Sequence, residues 1–372
     1  MYCVLIGFVP PIEELWDSVR EEVTSVNGGV AVKWRNSYSL AQDDDNDGAT
    51  TLVMAAVTEA SVSPQDIVAA VETVLSQHCE KFSCEMWASA PAPLPLRPAD
   101  GYSAIELKED GEEGSCWENR ATAAMREWGI SLQKQVVDDE KVRDFRVIVD
   151  EAIAEAEETL ALHRPDIDVG KDEILFKEIA SRNHERFDLR LTSSTARSFI
   201  EEVVLGNSLV QGFLRNNLGE MEEIDFDLSV VYSRPGANAQ GWHADGAHQR
   251  NANDAEWADD GWKTRLADAY AICLFVPLID LNDDVGFTQF WPGSHRSRDL
   301  IGFARVAEVT QATFDAKCCA GDGVWYDYRL WHQGMPNRLN VLRPVVQIIF
   351  KKKWYVERAN YGTESIAQDT NS

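Results

Sequence analysis

Gly323-Val324-Trp325-Tyr326-Asp327-Tyr328-Arg329-Leu330-Trp331-His332 and, eleven residues after that histidine, Arg343-Pro344-Val345-Val346-Gln347-Ile348-Ile349-Phe350 are the runs on which the fold turns. Both are rich in β-branched and aromatic residues and are separated by a polar, Asn-containing turn, so they read as strands. The strands are expected over 323–331 and 345–355. Working back, residues 224–232 and 269–277 have the same character. The β region therefore extends from about residue 224 to 355. Ahead of it a short strand is expected over 130–137, a long helix over 139–162 capped by Asp138, and a single helix over 194–218. These elements predict an α+β domain over 120–358 with helices flanking a β core. The tail, 359–372, is polar and is expected to be flexible.

The first ninety residues alternate differently. Strands are expected over 2–8, 30–40, 50–57 and 82–88, with helices over 11–26 and 63–75, the latter capped by Ser63. The order βαββαβ predicts a small α+β, ferredoxin-like module over 1–90. Residues 91–119 read as a linker, Pro-rich at 91–98 and acidic at 107–114.

The chain has 372 residues, with 35 Lys and Arg against 62 Asp and Glu, a net charge of −27. That balance disfavours nucleic acid and anionic membranes as partners, because both attract positive charge. No apolar run reaches the ~20 residues of a spanning helix, and the apolar start lacks the basic flank of a signal peptide. Seven cysteines without a C-x-x-C spacing point to reduced thiols, so a cytoplasmic location is expected.

Three features carry chemistry. In His243-Ala244-Asp245 the two polar side chains stand at i and i+2, so on a strand both reach one metal. With seven histidines and one acidic residue in six, one such match arises by chance. His332 ends an aromatic strand. If it joins the first pair, the set becomes two histidines and one carboxylate, which leaves open positions on an iron. Arg343 opens an apolar strand and needs an anion there, from an internal carboxylate or from a ligand.

Together with Phe290-Trp291-Pro292-Gly293-Ser294-His295-Arg296 and Trp331-His332-Gln333-Gly334-Met335-Pro336-Asn337, these residues resemble the phytanoyl-CoA dioxygenase family. The resemblance runs from about residue 125 to 357. It implies a double-stranded β-helix, the jelly-roll architecture of the cupins, and an Fe(II)- and 2-oxoglutarate-dependent oxygenase. O2 would be a cosubstrate and ascorbate a supporting reductant. It implies that His243, Asp245 and His332 bind iron and that Arg343 holds the distal carboxylate of 2-oxoglutarate. Tyr232 and Gln240 would flank the cosubstrate, and Trp242 and Trp331 would wall the substrate. Many members carry Ser or Thr two residues after the distal histidine; here Gly334 stands there, and either a hydroxyl from elsewhere, such as Tyr232 or Thr288, substitutes or Arg343 acts without one. Halogenating relatives lack the carboxylate, so Asp245 implies hydroxylation, or a related oxidation, of a small organic molecule.

Two other readings compete. One is a cupin-like metal protein without 2-oxoglutarate chemistry. The other is a non-catalytic binding or regulatory protein whose N-terminal module engages a protein partner or a second copy. His295 is expected to be structural, and Lys351-Lys352-Lys353 to mark a solvated edge strand.

Overall fold

In the computed structural model the described residues are 2–8, 18, 52–58, 64–78, 84–89, 95, 97–98, 101–106, 117–246, 248, 269–296, 300, 303–309, 311–357 and 360–367. They fall into two compact units, 1–99 with 299–313, and 100–298 with 314–372.

In the first unit β1 (Tyr2–Phe8) is the middle strand of an antiparallel sheet, between β2 (Leu52–Thr58) and β3 (Cys84–Ser89). Helix α1 (Pro64–His78) buries Ile67, Ala70, Val71, Val74 and Leu75, an i, i+3, i+4 stripe, while Val68 is half-buried. The expected helix over 11–26 (save Ser18, which is helical) and strand over 30–40, and the cap Ser63, lie outside the described residues. The unit also takes in 299–313 with its short helix (Ala304–Val309), a segment that the sequence assigns to the larger domain.

The second unit holds a seven-stranded antiparallel sheet. Its members are β4 (Ile130–Gln133), β5 (Ile179–Asn183), β6 (Arg186–Arg190), β7 (Ile224–Ser233), β8 (Ala271–Pro277), β11 (Gly323–Asp327) and β13 (Arg343–Lys352), in the spatial order β4-β11-β8-β13-β7-β6-β5. A three-stranded antiparallel sheet joins β9 (Thr288–Phe290) to β10 (Phe314–Asp315) and β12 (His332–Gly334). Strand periodicity sorts the side chains. Ile272, Leu274 and Val276 enter one core with α3 (Asp139–His163), α4 (Ser194–Val203) and α5 (Ser208–Leu218), whereas Ala271, Cys273 and Phe275 enter a second core with the small sheet.

Several expectations change. The helix over 194–218 is two helices, because Asn207 leaves the helical region and its side chain caps Leu209 N. The strand over 323–331 ends at Asp327, and β12 begins after a turn. Residues 101–106, assigned to the linker, bring Tyr102 and Ile105 into the second core, and helix α2 (Trp117–Trp128) begins before residue 120. Within the expected flexible tail, residues 360–367 are docked: Gly362 N donates to Phe176 O, Tyr361 Oη to Asp188, and Ile366 is buried. Lys351 does not lie on an edge; β13 is central, and the residue is 9% exposed, with its ammonium paired with Asp227.

Candidate active site

The segments bearing the two histidines are hydrogen-bonded to each other. His243 N donates to His332 O at 2.9 Å and His332 N to His243 O at 2.8 Å, so residue 243 extends the small sheet beyond β12. This brings the rings to 4.4 Å between centroids. Asp245 lies 3.9 Å from His243 Nε2 through one oxygen and 3.7 Å from His332 Nε2 through the other. One ligand atom from each of the three lies within 4.8 Å of the others. The cluster is the only such group found among the described residues.

The chemistry of these donors suits a metal ion. Each Nδ1 faces a backbone carbonyl, Gly241 O at 2.9 Å for His243 and Leu330 O at 2.8 Å for His332. A carbonyl only accepts, so Nδ1 carries the proton and Nε2 presents its lone pair toward Asp245. Desolvation and the neighbouring His332 imidazole lower the His243 pKa to about 4, which keeps it in the neutral, ligating form. Tyr326 Oη donates to Asp245 Oδ2 at 2.8 Å and turns the carboxylate. Burial raises the Tyr326 pKa, so it stays a donor. The motif 290–296 braces this end from outside: Ser294 Oγ accepts from Trp331 N at 3.0 Å, and Trp291 N donates to Trp331 O at 2.9 Å.

The same cavity is lined by Arg343, Arg186, Gln240, Thr288 and Gln347. Arg343 is 4% exposed. Its Nη1 donates to Val285 O and Met335 O at 3.1 and 3.0 Å, and its Nη2 to Ser233 Oγ at 2.9 Å. None of these acceptors is charged, so among the described residues Arg343 has no internal salt bridge of the kind the sequence left open. Burial lowers its pKa to about 10, and it remains a cation at neutral pH. Gly286, at φ +84°, makes room for it: a Cβ there would sit 2.3 Å from Nη1.

The structure brings Gln240 and Thr288 to the cavity. It does not bring Tyr232. That side chain is fully buried on the helix face of the sheet, where its hydroxyl donates to Glu157 at 3.2 Å and its ring packs on Phe187. Its neighbour Val231 lines the cavity instead. Trp331 is turned away from His332 by the same alternation and stacks on His248, while Trp242 is half-buried; neither lines the cavity. His295 is buried against Gly129, away from the ligand cluster. Not foreseen are Tyr326, Arg186, the Arg182–Asp188 pair at 2.8 Å, and Asn360 from the docked tail. Tyr326 was within reach of the sequence, since in β11 it alternates with Trp325 and so points to the His332 side.

A family model described as phytanoyl-CoA dioxygenase (PhyH) matches residues 115–345, well over half of the chain. Among solved structures, the epimerase SnoN from nogalamycin biosynthesis, described as non-heme and alpha ketoglutarate dependent, is similar at 16% identity. That alignment has a TM-score of 0.42 and covers 63% of this chain and 82% of SnoN. AviO1 from Streptomyces viridochromogenes Tue57 matches at 18% identity and TM-score 0.43, over 64% of this chain and 96% of its own. EvdO2 from Micromonospora carbonacea var. aurantiaca, complexed with 2-oxoglutarate, matches at 14% identity and TM-score 0.39, over 66% and 94%. No helix among the described residues is long and apolar enough to cross a membrane.

Proposed function

The chain belongs to the phytanoyl-CoA dioxygenase family, and from that premise we propose that it hydroxylates a small organic substrate at an Fe(II) centre, with 2-oxoglutarate and O2 as cosubstrates. One observation carries the reading: a three-donor cluster suited to a metal ion and a buried guanidinium whose acceptors among the described residues are all neutral line the same cavity. The two sheets around that cavity are read as the double-stranded β-helix.

His243, Asp245 and His332 would hold the iron, which supplies dioxygen activation coupled to decarboxylation of 2-oxoglutarate to succinate and CO2. The protein's part is to bind and orient. Backbone carbonyls keep both imidazoles in the Nδ1–H tautomer, and Tyr326 fixes the carboxylate. Arg343 would anchor the far end of the cosubstrate, which sets the direction in which its 2-oxo acid end reaches the metal ligands. Phe275, Leu281 and Phe287 give the cavity an apolar wall, which suits a carbon-rich substrate and excludes water. Ascorbate would keep the iron reduced. The free thiols of Cys273, Cys318 and Cys319 support a reducing, cytoplasmic setting.

The test is succinate release with Fe(II), ascorbate and 2-oxoglutarate, screened across acyl-CoA thioesters, amino-acid-like solutes and natural products. Release that one substrate class stimulates, with a hydroxylated product, and that Asp245→Ala abolishes is expected. Release that survives Arg343→Ala unchanged would favour a metal protein of another kind, and wild-type protein that binds no Fe(II) would favour a non-catalytic role.

A further inference from the structure

Arg186 and Arg343 occupy one row of the large sheet. The register pairs Arg186 with Ser233 across β6 and β7, and Ser233 with Arg343 across β7 and β13. Residues in one row of adjacent strands project from the same face, and both guanidiniums line the cavity. Both also donate to a single acceptor, Met335 O, Arg186 Nη2 at 2.9 Å and Arg343 Nη1 at 3.0 Å.

Arg186 is 1% exposed. Its other partners are neutral, Asn238 O at 3.0 Å and Gln240 Oε1 at 3.3 Å, and its buried Nε has no hydrogen-bond partner. Asp188, two residues on, is taken by Arg182 and by Tyr361. Burial and the like charge of Arg343 both work against the charged form of Arg186. Two buried cations that share one carbonyl and, among the described residues, have no carboxylate form a cradle for an anion with two oxygens. Gly334 closes the case sterically. A Cβ at 334 would lie 1.9 Å from Arg186 Nη1 and 2.4 Å from Gln240 Oε1, so the Arg186 guanidinium fills the place where a side-chain hydroxyl would stand.

We propose that Arg186 binds the distal carboxylate of the cosubstrate together with Arg343, and that it replaces the hydroxyl absent at position 334. The inference rests on the 2-oxoglutarate reading and deepens it: the cavity selects a 2-oxo diacid by two guanidiniums.

Anaerobic calorimetry on the Fe(II)-loaded protein compares 2-oxoglutarate with 2-oxopentanoate, the same carbon chain with a methyl group in place of the distal carboxylate. Arg186→Gln is expected to weaken 2-oxoglutarate about 10- to 100-fold while 2-oxopentanoate changes less than about twofold. Arg186→Lys should recover part of the loss. Gly334→Ala, which keeps Arg186 but displaces its guanidinium, should show the same selective weakening, and it decides the matter if Arg186→Gln does not fold. Equal weakening of both ligands, or none, in Arg186→Gln and Gly334→Ala would overturn the inference. If Arg343→Ala loses 2-oxoglutarate selectively while the Arg186 variants do not, the 2-oxoglutarate reading stands and this one falls. Wild-type protein that binds no 2-oxoglutarate would overturn both.

Discussion

The two ends of the cavity are built by opposite means. At one end, two imidazoles and a carboxylate converge, each held by a hydrogen bond from behind. At the other, two guanidiniums are buried with only neutral acceptors. The first end is short of positive charge and the second of negative charge. Buried cations without a carboxylate beside them destabilise a fold, so on the proposed reading the pair is a site organised for a metal ion and an anion bound together. The net charge of −27 is uninformative here; the local sign reverses within one cavity.

The largest effect is expected from removing the cation-seeking end. Asp245→Ala should lower Fe(II) affinity by at least about 100-fold, more than the loss of an outer partner causes, as read by anaerobic titration. Unchanged affinity would place the metal elsewhere. Tyr326→Phe sharpens the comparison, because it removes only the hydrogen bond behind the carboxylate. Fe(II) affinity should fall about tenfold, with 2-oxopentanoate and 2-oxoglutarate affected alike.

Acid should charge His243 at the first end together with His248 and His295, two buried histidines outside the cavity. His243, His248 and His295 all have pKa values lowered to about 4, chiefly by desolvation. The unfolded chain, with ordinary histidines near 6.5, therefore takes up protons first. The contribution of these groups is complete above pH 6.5 and is lost as the pH falls from 6.5 toward 4, on the order of 1–3 kcal/mol for each of the buried His248 and His295. Urea unfolding midpoints of the metal-free protein at pH 7, 5.5 and 4.5 should decline in that order. A midpoint that holds constant across the window contradicts the assignment.

The smallest effect concerns a residue the sequence misplaces. Tyr232→Phe should leave 2-oxoglutarate affinity within about twofold and cost about 1 kcal/mol of stability, since its hydroxyl bonds Glu157 on the helix side. A tenfold change in cosubstrate affinity would return Tyr232 to the site.

The misplacement is instructive. His243, Asp245 and Arg343 are legible because strand parity and the opening of an apolar strand signal them. Tyr232 and Trp331 are each one residue out of phase with a cavity or ligand residue, Val231 and His332, and a one-residue shift sends a side chain to the other face. Arg186 and Asp188 were invisible for a related reason. In Arg186-Phe187-Asp188-Leu189-Arg190 the polar residues of β6 alternate as they would on a solvated face, and nothing local says that this face is the wall of a cavity. The docked tail was missed because Asn360 and Tyr361 lie in a polar stretch whose partners, Asp188 and Tyr328, are far away in sequence. The break between α4 and α5, by contrast, carried its own signal in Gly206-Asn207.

The central claim is that the buried cationic end answers an anionic cosubstrate held against a metal, and anaerobic calorimetry of 2-oxoglutarate into the Fe(II)-loaded protein and its Arg343→Ala variant tests it most directly. One molecule per chain is expected for the wild type, with affinity about 100-fold weaker or more in the variant and little change for 2-oxopentanoate. Equal 2-oxoglutarate binding by the two proteins, or none by the wild type, would contradict it.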